Sequence, residues 1–148
     1  MKRTDFMETA FAEAEAAGAR GEVPIGAVVA FEGRMLASAG NRTRELNDPT
    51  AHAEILAIRE ACRLLQSERL PEADLYVTLE PCPMCAAAIS FTRIRRLYFG
   101  ASDEKGGAVT SGVRYFHQPT CHHAPDIYAG IGELRSAELL RRFFRERR

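Results

Sequence analysis

Apolar residues recur along the chain with two periods, which predict helices that alternate with strands. The helical period of 3.6 residues marks three segments, with apolar faces made by Phe6, Met7, Ala10, Phe11 and Ala14, then by Ile55, Ile58, Cys62 and Leu65, and last by Leu134, Ala137, Leu140 and Phe144. Short apolar runs predict five strands, over residues 25–31, 35–39, 75–79, 97–99 and 127–128. A further helix is predicted after the third strand, as far as Phe91.

Turn and cap signals place the boundaries of these elements. Gly18 and Gly21 are expected to end the first helix, and Glu32-Gly33 is a two-residue hairpin signal between the first two strands. Asp48-Pro49 predicts the cap and first position of the second helix, with Thr50 as an alternative cap. Residues 102–125 show no clear period and are expected to be irregular.

The order of elements predicts an α/β fold. An antiparallel strand pair followed by two β-α-β crossovers gives a mixed sheet of about five strands, flanked by helices. The chain has 148 residues, with no repeat or linker, and is expected to form a single domain over residues 1–148.

The charge and cysteine content exclude several classes of protein. The formal net charge is zero, which argues against a strongly basic nucleic-acid binder but leaves local patches open. No apolar run is long enough to cross a membrane, and the start of the chain does not resemble a signal peptide. The four cysteines do not suggest a disulfide framework, so a cytoplasmic location is expected.

Two short motifs carry the candidate chemistry. Pro81-Cys82-Pro83-Met84-Cys85 follows the third strand, and His52-Ala53-Glu54 lies at the second helix. A catalytic zinc ion takes three protein ligands and keeps one position for water. His52, Cys82 and Cys85 supply one imidazole and two thiolates. Pro83 suits a first helical turn, where unpaired N–H groups and the helix dipole favour a thiolate.

Glu54 is the candidate acid–base group. At a helix N-terminus its side chain can converge with that of His52, so it would lie close to the water without being a ligand and would shuttle protons. A structural zinc site or a redox Cys-x-x-Cys pair is the alternative. A structural site usually has a fourth ligand, and a redox pair leaves His52 and Glu54 unexplained. Both motifs start helices that follow strands, which predicts a site at the carboxyl edge of the sheet.

Nearly the whole chain resembles the tRNA-specific adenosine deaminase family. The residues that carry the resemblance are Glu22-Val23-Pro24-Ile25-Gly26-Ala27-Val28, Asn41-Arg42, Asp48-Pro49-Thr50-Ala51-His52-Ala53-Glu54-Ile55, Leu75-Tyr76-Val77-Thr78-Leu79-Glu80-Pro81-Cys82-Pro83-Met84-Cys85, Arg93-Ile94, Phe99-Gly100-Ala101 and Phe143-Phe144-Arg145. The zinc motifs alone fit the wider deaminase superfamily. Asp48-Pro49-Thr50 and Phe143-Phe144-Arg145 are more specific to this family.

The resemblance implies a three-layer α/β/α cytidine-deaminase-like fold, one zinc ion per subunit and a homodimer. It also implies conversion of the wobble adenosine of an arginine tRNA anticodon to inosine, so the expected partner is the anticodon stem-loop. Asn41 matches the family asparagine that contacts the target nucleoside, and Ile25 and the Ala53 backbone match the pocket wall. Asp103 falls where the family contacts a neighbouring ribose. Residues 109–123 depart from the family pattern.

Two segments remain open to more than one interpretation. Phe144 and Arg145 lie in an arginine-rich C-terminal helix, where phenylalanines could stack on unpaired bases. Alternatively, the helix buries Phe144 and solvates its arginines. Cys121-His122-His123 could form a second metal site, but a polar or RNA-facing surface loop is favoured.

Two other functions also fit the residues. One is deamination of a free base or nucleoside such as guanine, cytosine or cytidine, which shares the zinc chemistry. The other is a noncatalytic zinc-stabilised subunit, against which an intact Glu54 argues.

Overall fold

The structure is a computed structural model that describes residues 3–147, so Met1, Lys2 and Arg148 lie outside the described residues. The described chain forms four α-helices, α1 (Arg3–Ala19), α2 (Ala53–Leu65), α3 (Pro83–Thr92) and α4 (Glu133–Glu146). It forms five strands, β1 (Gly26–Phe31), β2 (Arg34–Gly40), β3 (Ala73–Leu79), β4 (Arg96–Ala101) and β5 (Asp126–Tyr128). The predicted helices and strands are all present, and one turn of 3-10 helix spans Tyr115–His117.

The strands form one mixed sheet in the order β2-β1-β3-β4-β5. Strand β1 is antiparallel to both of its neighbours, and β3, β4 and β5 are parallel to one another. Strands β2 and β3 therefore point the same way, so α2 and α3 both begin at the same edge of the sheet. The β1–β2 turn has positive φ at Glu32 (52°) and Gly33 (74°), as a two-residue hairpin of this twist requires.

Helices cover both faces of the sheet. Alternate residues of β3 point to opposite faces, so Leu75 and Val77 pack with α2 and α3, whereas Tyr76 packs with α1 and α4. The helix α1 is held by the predicted face, Phe6, Met7, Ala10, Phe11 and Ala14, all of which are buried. The predicted three-layer α/β/α arrangement is confirmed. None of the helices formed by residues 3–147 combines the length and apolar character that crossing a bilayer requires.

The predicted start of α2 is wrong. Asp48 and Thr50 do not cap the helix, because its N-cap is His52, with φ −74° and ψ 153°. Asp48 instead closes a local turn, in which its Oδ1 accepts hydrogen bonds from the Thr50 N–H (2.9 Å) and Oγ1–H (2.7 Å). The later start leaves His52 at the open end of the helix.

Half of the predicted apolar face of α4 is wrong, since Ala137 and Leu140 are partly buried but Leu134 and Phe144 are not. Leu134 and Phe144 are 82% and 51% exposed, whereas Ser136, Leu139 and Phe143 are buried. The reason is a close helix–sheet contact in which the Ser136 hydroxyl donates to the Thr78 carbonyl. A Cβ atom added at Gly100 would lie 3.0 Å from that of Ser136, so small residues set this contact. The helix therefore turns Phe144 outward.

Candidate active site at two helix starts

Backbone geometry brings the three candidate zinc ligands together. His52 is the N-cap of α2 and Cys82 is the N-cap of α3, with Pro83 in the first helical turn as predicted. Cys85 follows one turn later and is buried. The His52 side chain makes no cap hydrogen bond to α2 and faces the two thiols instead.

The distances between donor atoms fit a shared zinc ion. His52 Nδ1 lies 3.7 Å from Cys82 Sγ and 3.5 Å from Cys85 Sγ. Zinc bonds of about 2.0–2.1 Å to nitrogen and about 2.3 Å to sulfur, at a tetrahedral angle, place the two donor atoms about 3.6 Å apart. The ligand atoms all lie within 4.8 Å of one another, and this is the one such group found among residues 3–147. The donor set fits a zinc site with three protein ligands.

The thiols of Cys82 and Cys85 have pKa values shifted in opposite directions. The hydrogen bond from Cys85 lowers the pKa of Cys82 to about 4. Conversely, that bond and burial raise the pKa of Cys85. The contact with Cys82 also raises the pKa of His52 above its ordinary value. Cys82 is therefore the first thiolate of the pair, and a metal ion would displace the remaining proton.

Glu54 lies beside this group without belonging to it. It is the second residue of α2 and is 4% exposed. Burial raises the pKa of Glu54 to about 7, because the charged carboxylate loses its hydration. A carboxyl group of this pKa can accept and donate protons near neutral pH.

A chain of hydrogen bonds links the three residues that the family resemblance assigns to the base pocket. The Ala53 N–H donates to Asn41 Oδ1 (2.8 Å), and the Asn41 N–H donates to the Ile25 carbonyl (3.2 Å). The side-chain carbonyl of Asn41 is thus used within the protein, which leaves its NH₂ group as the donor available to a ligand. Ala53 lies between His52 and Glu54, so this chain joins the metal donors to the end of β1.

A groove begins at Ile25. A cavity of about 530 Å³ is lined by Ile25, Leu79, Asp103 and Phe144, together with neighbouring residues of α4 and of the loop after β4. Asp103 Oδ1 accepts hydrogen bonds from the Lys105 and Gly106 N–H groups, which fixes its side chain at the rim. Three of the predicted substrate-binding residues therefore line one groove.

The end of α4 extends this surface. Phe144 also borders a second hollow of about 410 Å³, which Arg145 lines as well. Arg145 is exposed and pairs loosely with Glu138 at 3.9 Å. The alternative that Phe144 is buried is wrong, since the neighbouring Phe143 fills the buried position.

Two buried glutamates near the site were not predicted. Glu80 accepts hydrogen bonds from the loop after β4, and Glu22 accepts them from the Arg44 and Glu45 N–H groups (3.1 and 2.9 Å). Both lie in the segments that resemble the deaminase family, which is the one available signal. Their roles depend on loops folding around them, which spacing in the sequence does not reveal.

The Cys121-His122-His123 segment packs against α3. Cys121 Sγ donates to the His123 carbonyl (3.1 Å), and His123 Nε2 bonds to the Ile94 carbonyl (2.8 Å). No group of three metal-binding side chains includes these residues within the described part of the chain. The segment is therefore held against Ser90 of α3 and the core, so its role is packing rather than the polar or RNA-facing surface that the sequence favoured.

The comparison with known families agrees with this geometry. Residues 1–101 match the family described as the cytidine and deoxycytidylate deaminase zinc-binding region. The fold and the donor set thus define a deaminase of the cytidine deaminase superfamily.

Similarity to individual proteins identifies the family within this superfamily. The tRNA-specific adenosine deaminase of Agrobacterium fabrum is 71% identical over 147 residues, covering 99% of this chain and 97% of that protein. A structure from a study of A-to-I editing by tRNA:A34 deaminases at the wobble position matches with a TM-score of 0.92 and 71% identity, over 93% of this chain and 100% of that one. The chain belongs to the tRNA-specific adenosine deaminase family, as the resemblance indicated.

A guanine deaminase is a more distant relative. The Bacillus subtilis enzyme matches with a TM-score of 0.67 and 38% identity, over 69% of this chain and 66% of that one. The shared part reflects the common deaminase fold.

Proposed function

We propose that the protein deaminates adenosine to inosine at the wobble position of a tRNA anticodon, with an arginine tRNA as the expected substrate. The observation that carries this proposal is an open groove at Ile25, a residue that two hydrogen bonds connect to residues 52–54. The hydrogen-bond chain from Ala53 through Asn41 to Ile25 leads from Glu54 to that groove. A free base needs a closed pocket, whereas a base within RNA needs room for its neighbours.

His52, Cys82 and Cys85 hold one zinc ion per subunit in this proposal. The match of donor distances to zinc–nitrogen and zinc–sulfur bond lengths supports it. When bound, zinc acts as a Lewis acid that makes water a nucleophile at neutral pH.

Glu54 moves the protons. The oxygen of water bonds to C6 of adenine and the C6–N bond breaks, so one proton of the water ends on N1 of inosine and the other on the leaving NH₂ group, which departs as ammonia. Glu54 takes each proton from the oxygen and passes it on in turn, because its pKa of about 7 allows both states near neutral pH. Its burial keeps bulk water from competing for the proton.

The remaining residues orient the RNA. The Asn41 NH₂ group donates to the target nucleoside, and Ile25 and the Ala53 backbone wall the base pocket. Asp103 accepts a hydrogen bond from a neighbouring ribose hydroxyl, with Oδ2 as the oxygen not used in the Lys105 and Gly106 turn. Phe144 stacks on an unpaired base and Arg145 meets phosphate, for which their exposure is suitable.

Direct assay of inosine tests the proposal. Purified protein is incubated with an anticodon stem-loop that contains adenosine at the wobble position, and the products are digested and separated by chromatography. We expect inosine with the stem-loop and far slower turnover of adenosine, guanine and cytidine. Turnover of a free compound as efficient as that of the stem-loop would replace the tRNA proposal with a small-molecule deaminase.

A variant at Asp103 tests the RNA contact. Asp103→Asn is expected to weaken discrimination between RNA and DNA stem-loops, because only RNA offers the 2′-hydroxyl. Unchanged discrimination would remove Asp103 from the binding surface.

The protein is proposed to act as a homodimer in the cytoplasm. Exposed apolar residues on the α2–α3 layer support a subunit contact, and Phe91 of α3 is 66% exposed. Leu64 of α2 and Val113 of the adjoining loop are also exposed. Light scattering is expected to give a dimer, and Phe91→Ser to give more monomer. A monomeric wild type at assay concentration would contradict this part.

A further inference from the structure

Glu80 is a buried acid that the chemistry above does not use. It lies between the end of β3 and Cys82, and it is 3% exposed. A buried carboxylate is strongly destabilising unless hydrogen bonds replace its lost hydration. The hydrogen-bond donors around the Glu80 carboxylate therefore indicate its role.

Five donors from one loop surround its carboxylate. Oε1 accepts from the Asp103 N–H (2.8 Å) and the Ser111 hydroxyl (3.0 Å). Oε2 accepts from three successive N–H groups, those of Val109, Thr110 and Ser111, at 3.0, 2.9 and 3.0 Å. Both ends of the 103–111 loop are thus held by a single side chain.

The backbone on either side strengthens this attachment. The Glu80 N–H donates to the Ala101 carbonyl (2.9 Å), and the Ala108 N–H donates to the Pro81 carbonyl (2.9 Å). The loop approaches so closely that a Cβ atom at Gly107 would lie 2.4 Å from Glu80 Cδ. The loop and the segment leading to Cys82 therefore behave as one unit.

We propose that Glu80 is a positioning residue for RNA binding, which acts by fixing Asp103 at the rim of the groove. Asp103 lines the groove, whereas Glu80 does not. The hydrogen bond from the Asp103 N–H sets where the Asp103 side chain begins. The inference rests on the proposed function, because the ligand of Asp103 is the ribose of the target RNA.

Glu80→Gln is the sharpest test, because it preserves shape and removes one acceptor. The amide keeps one oxygen, which is expected on the side of the three N–H groups of residues 109–111. Its NH₂ group then faces the Asp103 N–H and releases that end of the loop. We expect KM for the RNA stem-loop to rise about tenfold, since the lost bond involves a charged acceptor. The kcat should stay within about threefold, because the proton-transfer group is untouched.

Matched controls separate positioning from general loss of structure. Asp74→Asn alters another buried carboxylate of β3, at the opposite end of the strand, where it accepts from Arg95. It should lower thermal stability and leave KM unchanged. Ser111→Ala removes one of the five bonds and should have a small effect on KM. Zinc content, measured on each variant, should equal that of the wild type.

Two further measurements test directly whether Glu80 holds Asp103 in place. Hydrogen exchange should become faster at the Asp103 amide in Glu80→Gln, with less change at residues 109–111. Combining Glu80→Gln with Asp103→Asn should raise KM no further than the larger of the two single changes.

The outcomes are distinct. An unchanged KM despite faster exchange, or effects of Glu80→Gln and Asp103→Asn that multiply, would overturn the inference. Loss of zinc in Glu80→Gln would also overturn it, because Glu80 would then act on the metal site. If the wild type forms no inosine in the stem-loop, the proposed function fails instead, and the exchange result still tells whether Glu80 holds Asp103.

Discussion

At the proposed metal centre, the donor atoms lie on residues at the starts of helices, whereas the groove is lined by side chains from distant parts of the chain. His52 and Cys82 occupy equivalent N-cap positions at one edge of the sheet. The groove instead needs the end of α4 and the loop after β4 to meet Ile25. Two helix starts therefore form the first region, and packing between distant segments forms the second.

The two regions also differ in what they require of a residue. The metal centre tolerates few substitutions, since only imidazole, thiolate and carboxylate groups supply its ligands. The groove requires shape, exposure and a few hydrogen-bonding groups, which many residues can provide. We therefore expect substitutions at the metal centre to abolish activity and substitutions at the groove to reduce it only in part.

Removing a zinc ligand should have the largest effect. Cys85→Ala leaves two donors and should abolish both zinc binding and deamination, as measured by metal analysis and by inosine formation. Cys62→Ala is the matched control, because Cys62 is a partly buried thiol of α2 outside the donor group. Full zinc content in Cys85→Ala would show that the ligand assignment is wrong.

Glu54→Ala should come next, with zinc retained. The rate is expected to fall about a hundred- to ten-thousand-fold, which is the usual contribution of general acid–base catalysis. Glu60→Gln, an exposed acid of the same helix that pairs with Arg63, should keep the wild-type rate. A Glu54→Ala protein within a few-fold of the wild type would exclude the proton-shuttle role.

The difference between the two regions explains which features of the structure can be predicted from the sequence. A mixed sheet flanked by helices and the meeting of His52 with Cys82 and Cys85 follow from periodicity and motif spacing, and the three-layer arrangement follows from the family resemblance. The start of α2 does not, because Asp48-Pro49-Thr50 carries every local sign of a helix cap and closes a separate turn instead. Local signals cannot tell which of two nearby turns the tertiary structure continues into a helix.

The face of α4 fails for a related reason. Counting apolar residues assigns Leu134 and Phe144 to the core and Ser136 to the surface, but the close contact at Gly100 selects the small residue. Glu80 and Glu22 likewise resemble surface acids until their loops fold over them. The α4 face and the two buried glutamates depend on packing between segments that are distant in the sequence.

Phe143 and Phe144 are adjacent in α4, but one is buried and the other is exposed, so they allow a test within the groove region. Phe144→Ala should raise KM for the stem-loop about tenfold, since base stacking on an aromatic side chain is typically worth about 1–3 kcal/mol. Its thermal stability should change little, because Phe144 is exposed. Phe143→Ala should instead lower the free energy of unfolding by about 3 kcal/mol, because Phe143 is buried. Equal effects of the two on KM at a temperature where both are folded would remove Phe144 from the RNA surface.

The smallest effect is expected at Glu22, which holds the loop after β2 without lining the groove. Burial alone would raise the pKa of Glu22, but hydrogen bonds from the Glu45 and Arg44 N–H groups outweigh it and hold the pKa below its ordinary value. A carboxyl group whose pKa is lower in the folded state stabilises the fold at pH values above its unfolded-state pKa. That contribution is lost as the pH falls through its folded-state pKa. Glu22→Gln should therefore reduce the free energy of unfolding by about 1–2 kcal/mol at pH 7.

The difference between wild type and Glu22→Gln should narrow as the pH falls through the lowered pKa of Glu22, where the folded wild-type carboxylate becomes protonated. Urea unfolding at several pH values measures it, and Glu32→Gln, at an exposed hairpin residue, is the control that should follow the wild type. A difference that stays constant down to pH 3 would mean that Glu22 acts through shape alone. Loop support on this side of the site would then not depend on charge.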